Sequence, residues 1–226
     1  MTTLSIIIPA LNEAAHIAAT LHSLQPLRTR GVEVVVVDGG SDDVTADIAA
    51  AHCDQVLASP KGRATQMNAG ARAAHGEVLL FLHADSLLPA AADTLILRAL
   101  NRASAWGRFD VCISGAHWML PVIAWCMNRR SRISGIATGD QGMFVTRELF
   151  WQVGCFPDQP LMEDIEMSAR LKKITAPVCL PQVITTSGRR WEKHGVWRTI
   201  FKMWRLRLAY FCGATPAALH HQYHGR

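Results

Sequence analysis

The sequence lacks paired cysteines. Six of them (Cys53, Cys112, Cys126, Cys155, Cys179 and Cys212) are scattered along 226 residues with no C-x-x-C spacing. That argues against a thiolate metal site and leads to an expectation of reduced, mostly buried thiols in a reducing compartment. Long apolar runs are missing as well. Nowhere do eighteen apolar residues follow one another, so no spanning helix is expected. The apolar stretch 4–8 is short and has no basic segment before it, unlike a secretory leader, which points to the cytoplasmic side of the membrane. Internal repeats, linkers and low-complexity segments are absent, so one domain is expected. Acidic residues run short at one end only. Of 23 Lys+Arg and 18 Asp+Glu, eight and one fall in 187–226, a net +7 that leaves −2 for the rest. A basic end on a mildly acidic body suits a surface that meets phosphates or anionic lipid.

What is present alternates between two periods. Residues 5–8 read as a buried strand, followed by a helix with Ile17, Leu21 and Leu24 on one face. Residues 32–37 form a valine-rich second strand, and Ser41 with two acidic residues opens a second helix. A short third strand at 55–58, a helix at 63–75 that stops at Gly76, and a fourth strand at 77–82 complete the first half. Continuous apolar strands separated by helices predict an α/β fold, a mostly parallel sheet with helices on both faces. Ligands of such sheets bind beyond the carboxyl ends of the strands, here at 9–13, 38–42 and 83–85. The second half is less regular: an apolar stretch at 118–127 broken by Pro121, strands at 142–146 and 178–185, a short helix at 165–173, and a long helical candidate at 195–212.

Three segments carry chemistry. Asp38 leaves the second strand ahead of Gly39, Gly40 and Ser41, a polar pocket with closely approachable backbone; an Asx turn would use the same carboxylate. His83 and Asp85 alternate at the end of the fourth strand and so fall on one side. One hard carboxylate there suits Mg²⁺ or Mn²⁺ sharing its shell with phosphate oxygens. Glu163 and Asp164 open a helix, where carboxylates favour the dipole or serve as a general base.

Taken in order, these segments resemble glycosyltransferase family 2. Ser5-Ile6-Ile7-Ile8-Pro9-Ala10-Leu11-Asn12-Glu13 is similar to that family's opening strand and loop, and the Asp38 segment resembles its second-strand acidic element. Lys61-Gly62-Arg63-Ala64-Thr65-Gln66-Met67-Asn68-Ala69-Gly70 is similar to its G-x-x-x-A-x-N-x-G helix start. His83-Ala84-Asp85 stands where the family has D-x-D, and Glu163-Asp164 where it has E-D. Two departures are visible. His83 replaces the first Asp of D-x-D, and Ser187-Gly188-Arg189-Arg190-Trp191 carries Ser187 where processive members have Gln. Details such as H-A-D and L-M-E-D-I-E look closest to a compact bacterial subfamily named for radical-SAM or selenodomain proteins or arsenosugar biosynthesis.

The resemblance implies a GT-A fold and inverting, metal-dependent transfer of a sugar from a UDP- or GDP-linked donor to an acceptor hydroxyl. It implies Asp164 as base beside Glu163, and a Mn²⁺ or Mg²⁺ site at Asp85 with His83. Donor contacts would come from Pro9, Ala10, Asn12, Glu13, Asp38, Gly39, Arg63, Gln66, Asn68, Arg189, Arg190 and Trp191. No nucleic-acid partner is expected. Two other function classes are weighed: a nucleotidyltransferase, which would want a glycine-rich basic loop that 5–13 lacks, and a non-catalytic sugar-nucleotide-binding protein at the membrane surface. The division expected is a catalytic domain at 1–194 and a cationic amphipathic helix and tail at 195–226. In that helix Trp197, Ile200, Phe201, Trp204, Leu208 and Phe211 interleave with Arg198, Lys202, Arg205 and Arg207. Either it packs on the domain with its basic residues outward, or it rests on anionic lipid, which would make the protein peripheral to the membrane and the acceptor lipid-borne.

Overall fold

Apolar side chains that find no water-facing side on a doubly covered strand build the first half of the molecule. In the computed structural model, which describes residues 3–100 and 104–224, β1 (Leu4–Ala10), β2 (Glu33–Asp38), β3 (Gln55–Ala58) and β4 (Val78–Phe81) run parallel. Helices α1 (Ile17–Arg28), α2 (Thr45–Ala50) and α3 (Arg63–Ala73) connect them. Alternate residues of each strand enter opposite cores: Ile6, Ile8, Val34 and Val36 pack with Ile17, Leu21 and Leu24 of α1. Ile7, Val35 and Val37 pack with Ala64, Met67 and Ala71 of α3. Gly70 lets α3 approach this closely, since a Cβ there would lie 2.5 Å from Ile7 Cγ2 and 2.9 Å from Val37 Cγ2.

The second half reverses direction. After β5 (Ser86–Leu87) and α4 (Ala92–Ala99) come β6 (Trp106–Ser114), α5 (Met119–Ser134), a 3₁₀ turn at Gly139–Gln141, β7 (Met143–Thr146) and α6 (Arg147–Gln152). Then follow α7 (Glu163–Lys172), β8 (Val178–Ser187), α8 (Arg189–His194), α9 (Val196–Phe211) and α10 (Pro216–His224). The eight strands form one mixed sheet in the order β3-β2-β1-β4-β7-β6-β8-β5. β7 is antiparallel to both β4 and β6, and β8 returns parallel to β6. Pro121 does not break α5, because it sits in the first turn, where backbone N–H groups have no intrahelical partner.

Two expectations need correction. The thiols are free but not mostly buried: Cys112, Cys126 and Cys212 are exposed and the other three half-buried. The C-terminal helix α9 does pack on the domain, through Val196, Thr199 and Leu206, yet its opposite side is not simply basic. Trp197, Phe201, Trp204, Leu208 and Phe211 are all exposed there.

Candidate functional site

The carboxyl ends of β1, β2 and β4 meet the start of α7 at one edge of the sheet. The loop after β1 turns on Asn12, held in the left-handed region at φ 54°. Its backbone N–H donates to Ser41 Oγ at 2.9 Å, and its side-chain Oδ1 accepts from the Asp42 N–H at 2.8 Å. The Glu13 N–H donates to Thr45 Oγ1. The first two strand-end loops are therefore tied to each other. Asp38 spends much of its carboxylate on its own loop, accepting from the N–H groups of Gly40 and Ser41 and from the Ser41 hydroxyl at 2.5 Å. The Asx turn weighed from the sequence is present, and it fixes the acid at the end of β2.

Beneath this edge, the buried Gln66 donates both hydrogens of Nε2 to the carbonyls of Ala10 and Val37, each at 2.8 Å. A Cβ on Gly39 would lie 3.0 Å from that amide, so Gly39 and Ala10 close over Gln66. Asn68 exchanges two hydrogen bonds with the backbone of Phe156. Gln66 and Asn68 thus shape the site through backbone contacts. Trp191 packs with Leu120, Ile123 and Val196, anchoring the segment that carries Arg189 and Arg190.

Arg189 reaches from the start of α8 to Glu13 Oε1 at 2.5 Å and Asp85 Oδ2 at 3.4 Å. One guanidinium therefore lies between two loop carboxylates, and Glu13 Oε2 is buried with no partner. His83 points elsewhere. Its Nδ1 lies 3.3 Å from Asp140 Oδ1, and its Nε2 is buried and unpartnered against Gly139, where a Cβ would approach to 2.4 Å. Among the described residues no three His, Cys, Asp or Glu side chains gather as a ready-made cage. A lone hard carboxylate at Asp85, with an acceptor-rich neighbour at Glu13, fits a divalent cation that completes its shell with diphosphate oxygens and water.

The other wall is the start of α7. Asp164 accepts from the backbone N–H of Gly139 at 2.9 Å and of Ile165 at 2.8 Å. Burial, with the adjacent Glu163 carboxylate, pushes its pKa up to about 6, against the pull of those N–H groups and Arg63. Glu163 is buried and faces Arg63, 3.5 Å away. A void of about 10 Å³ lies among Pro9, Arg63, His83, Gly139, Glu163 and Asp164, so residues from five separate segments converge there. Burial would raise Asp140, but the hydrogen bond and charge of His83, helped by Arg63 and Arg190, hold it down at about 2.

Two residues near the base were not singled out from the sequence. Asp140, in the turn Gly139-Asp140-Gln141-Gly142, positions His83; two glycines around a polar pair just before an apolar strand were the available signal. Arg130 of α5 buries all three guanidinium nitrogens without a hydrogen-bond partner. Burial lowers its pKa while Asp164 and Asp140 raise it. No spacing in the sequence distinguishes it from the surrounding basic residues.

A PGL/p-HBAD biosynthesis glycosyltransferase of Mycobacterium bovis and Mycobacterium tuberculosis is 44% identical over 98 residues, covering 40% of this chain and 38% of the relative. The chain therefore matches well under half the length of that relative. The mannosyltransferase PcManGT from Pyrobaculum calidifontis, solved with GDP-Man and Mn²⁺, superimposes with a TM-score of 0.65 at 22% identity, covering 97% of this chain and 68% of the other. Glucosyl-3-phosphoglycerate synthase from Mycobacterium tuberculosis, solved with Mn²⁺, UDP and glucosyl-3-phosphoglycerate, gives 0.60 at 19% identity over 82% and 70%. Both likenesses are of fold, and they bear out a GT-A architecture. The description Glycosyl transferase family 2 matches residues 5–150, more than half of the chain, which therefore belongs to that family.

Proposed function

We propose that the protein transfers a sugar from a nucleoside-diphosphate donor to an acceptor hydroxyl with inversion at the anomeric carbon. The observation that carries this reading is Asp164: a carboxylate of raised pKa, fixed by two backbone N–H groups. It shares one edge of the sheet with Asp38, Asp85 and Arg189. A base whose pKa lies near the working pH transfers protons efficiently. As the acceptor oxygen bonds to the anomeric carbon, Asp164 takes its proton and the bond from that carbon to the diphosphate oxygen breaks. One displacement of this kind inverts the centre. Glu163, buried against Arg63, raises the affinity of Asp164 for the proton.

Pro9, Ala10, Asn12, Glu13, Asp38 and Gly39 would receive the nucleoside, and Arg63, Arg189 and Arg190 the developing negative charge. Asp85 would hold a divalent cation, Mn²⁺ or Mg²⁺; His83, the second candidate ligand, would have to turn from Asp140 to join it. When bound, that cation supplies positive charge at the departing diphosphate. The GDP-Man and Mn²⁺ of the mannosyltransferase, and the UDP and Mn²⁺ of the synthase, support this donor class and metal. We assign residues 1–194 to the catalytic unit and 195–226 to a cationic appendage, and we place the chain in the compact bacterial subfamily whose motifs it resembles. A lipid-borne acceptor fits the position of α9, which packs against both residues flanking Glu163 and Asp164.

The test is a screen of UDP- and GDP-sugars for thermal stabilisation with and without Mn²⁺. A ligand at a hundred times its Kd stabilises the fold by about 2.7 kcal/mol. One donor should raise the melting temperature, and more so with the metal. No shift from any nucleotide sugar defeats the reading.

A further inference from the structure

We infer that α5 and α9 together form a docking surface for an anionic lipid bilayer. This deepens the proposal of a lipid-borne acceptor, and its test is read separately from sugar transfer. At 100° per residue, Trp197, Phe201, Trp204, Leu208 and Phe211 fall within an arc of about 80° on α9. Each of the five is more than half exposed, from 54% for Trp197 to 70% for Trp204. The packed face, Val196, Thr199 and Leu206, lies on the opposite side. Arg198, Lys202 and Arg205 fall between the two on one flank and Arg207 on the other. Among the described residues neither Arg198 nor Arg205 pairs with a carboxylate. The helix contains no acidic residue at all.

An ordinary surface helix has one apolar stripe and turns its polar side to water. Lys202 is taken up by the carbonyl and ring of Tyr223, but two apolar stripes flanked by Arg198 and Arg205, which have no carboxylate partner, suit a second apolar neighbour that is itself bordered by negative charge. A bilayer interface supplies both: acyl chains for the stripe, indole-favouring headgroups for Trp197 and Trp204, and anionic lipid for the arginines. Helix α5 repeats the design where it packs on α9. Its Leu120, Ile123 and Ala124 share a buried cluster with Val196 and Ile200. Trp118, just before its first turn, and Trp125 are 69% and 63% exposed, with Val122 between them. It too has no acidic residue, and Arg129 stands over the Trp125 ring at 6.0 Å. Among the described residues no helix is long and apolar enough to cross a membrane, so the contact is with the interface.

The surface also explains where the base lies. Leu206, on the packed side of α9, joins Met162 and Ile165 on either side of Glu163 and Asp164, and Tyr210 donates to Glu166 Oε2 at 3.3 Å. A helix is about 10 Å across, so the base stands on the order of one or two helix widths from the lipid headgroups. The acceptor that suits this position is an amphiphile presenting a hydroxyl or phosphate oxygen at headgroup depth.

The experiment is co-sedimentation of the full chain with phosphatidylcholine vesicles, with and without roughly a third phosphatidylglycerol, across a salt series. The wild type should bind the anionic vesicles and dissociate as salt rises. Arg198→Glu with Arg205→Glu should weaken binding about a hundredfold or more, since each basic residue near such a surface contributes about a factor of five. Phe201→Ser with Trp204→Ser should weaken it at least about tenfold without lowering the melting temperature, and Trp118→Ser with Trp125→Ser should do so to a smaller extent. Absence of wild-type binding at low salt overturns the proposal. So does full retention by the aromatic variants, which would mean a bare polyanion contact, or a dimer in light scattering that dissolves on Trp204→Ser, which would give the face to a second copy. Silence of the Trp118 and Trp125 pair removes α5 from the surface. Donor-induced thermal stabilisation, followed on the same variants, reports on the sugar-transfer reading independently.

Discussion

The two halves of this sheet handle polar groups in opposite ways. On the donor side, the loops after β1 and β2 close on each other: Asn12 with Ser41 and Asp42, Asp38 with its own turn, Gln66 with both strand ends. On the base side, charges are buried and left in tension. Asp164 sits beside Glu163 with its proton affinity raised, His83 Nε2 has no partner, and Arg130 has none for its guanidinium. Apart from the unpartnered Glu13 Oε2, the donor half resembles a finished mould. The base half stores electrostatic free energy that a reaction can release, in keeping with strained or perturbed groups at chemical sites.

The largest expected effect tests the stored part. Asp164→Asn keeps the shape but removes the base, so turnover should fall by about a hundredfold or more while donor affinity stays within roughly threefold. The same substitution should change how the stability of the fold depends on pH. Because burial and Glu163 raise this carboxyl, the folded chain holds the proton more tightly than the unfolded one. Stability is then fullest below the ordinary carboxylate pKa, near 4, and declines as pH climbs to about 6. The asparagine variant should escape that decline, so its stability in urea titrations should stay flat between about pH 4 and 7, whatever it loses by turning an amide N–H toward one of the two backbone donors. Wild-type turnover should rise through the same window as the base ionises. A variant that is inactive but keeps the wild-type pH dependence of stability would erase the contrast between the halves.

A second substitution strikes the mould. Gly70→Ala drives a methyl into Ile7 and Val37 and should cost about 1–3 kcal/mol of stability. The pH dependence of turnover should be untouched, since no charge near Asp164 changes. A shifted pH profile would show the two halves to be electrostatically linked. The smallest effect belongs to Asn68→Ala, which removes two bonds to the Phe156 backbone. A loss of about 1–2 kcal/mol is expected, with donor affinity reduced only slightly. A collapse of donor affinity without loss of stability would make Asn68 a direct donor contact.

The same contrast decides what was legible in the sequence. Strands β1 to β4 stand out because runs such as Ile6-Ile7-Ile8 and Val34-Val35-Val36-Val37 have no other home than a covered sheet. Strand β6 stays hidden, although its nine residues lie at the centre of the second half, between β7 and β8. Arg108 and Asp110 interrupt its apolar pattern, and the burial of Arg108 is tolerable because it pairs with the half-buried Asp110, itself held by Arg132 of α5, and donates to the Asn128 carbonyl of α5. That pairing is a tertiary fact that no local period encodes. Asp85, Asp164 and Arg189 were visible because strand ends, helix starts and family motifs mark them. Asp140 and Arg130 matter through what the fold brings beside them. For α9 the spacing of aromatic residues was plain, but which stripe packs depends on where Met162 and Ile165 lie.

The Gln66 carboxamide, finally, makes the donor edge measurable in time. Its two N–H protons are buried and each is held by a carbonyl at 2.8 Å, one at the end of β1 and one near the end of β2. Solvent deuterons reach them only when α3 lifts from both strand ends, so their exchange counts those openings. A nucleotide that seals the edge should slow that count, and one side-chain resonance pair becomes a stopwatch for how often the mould opens.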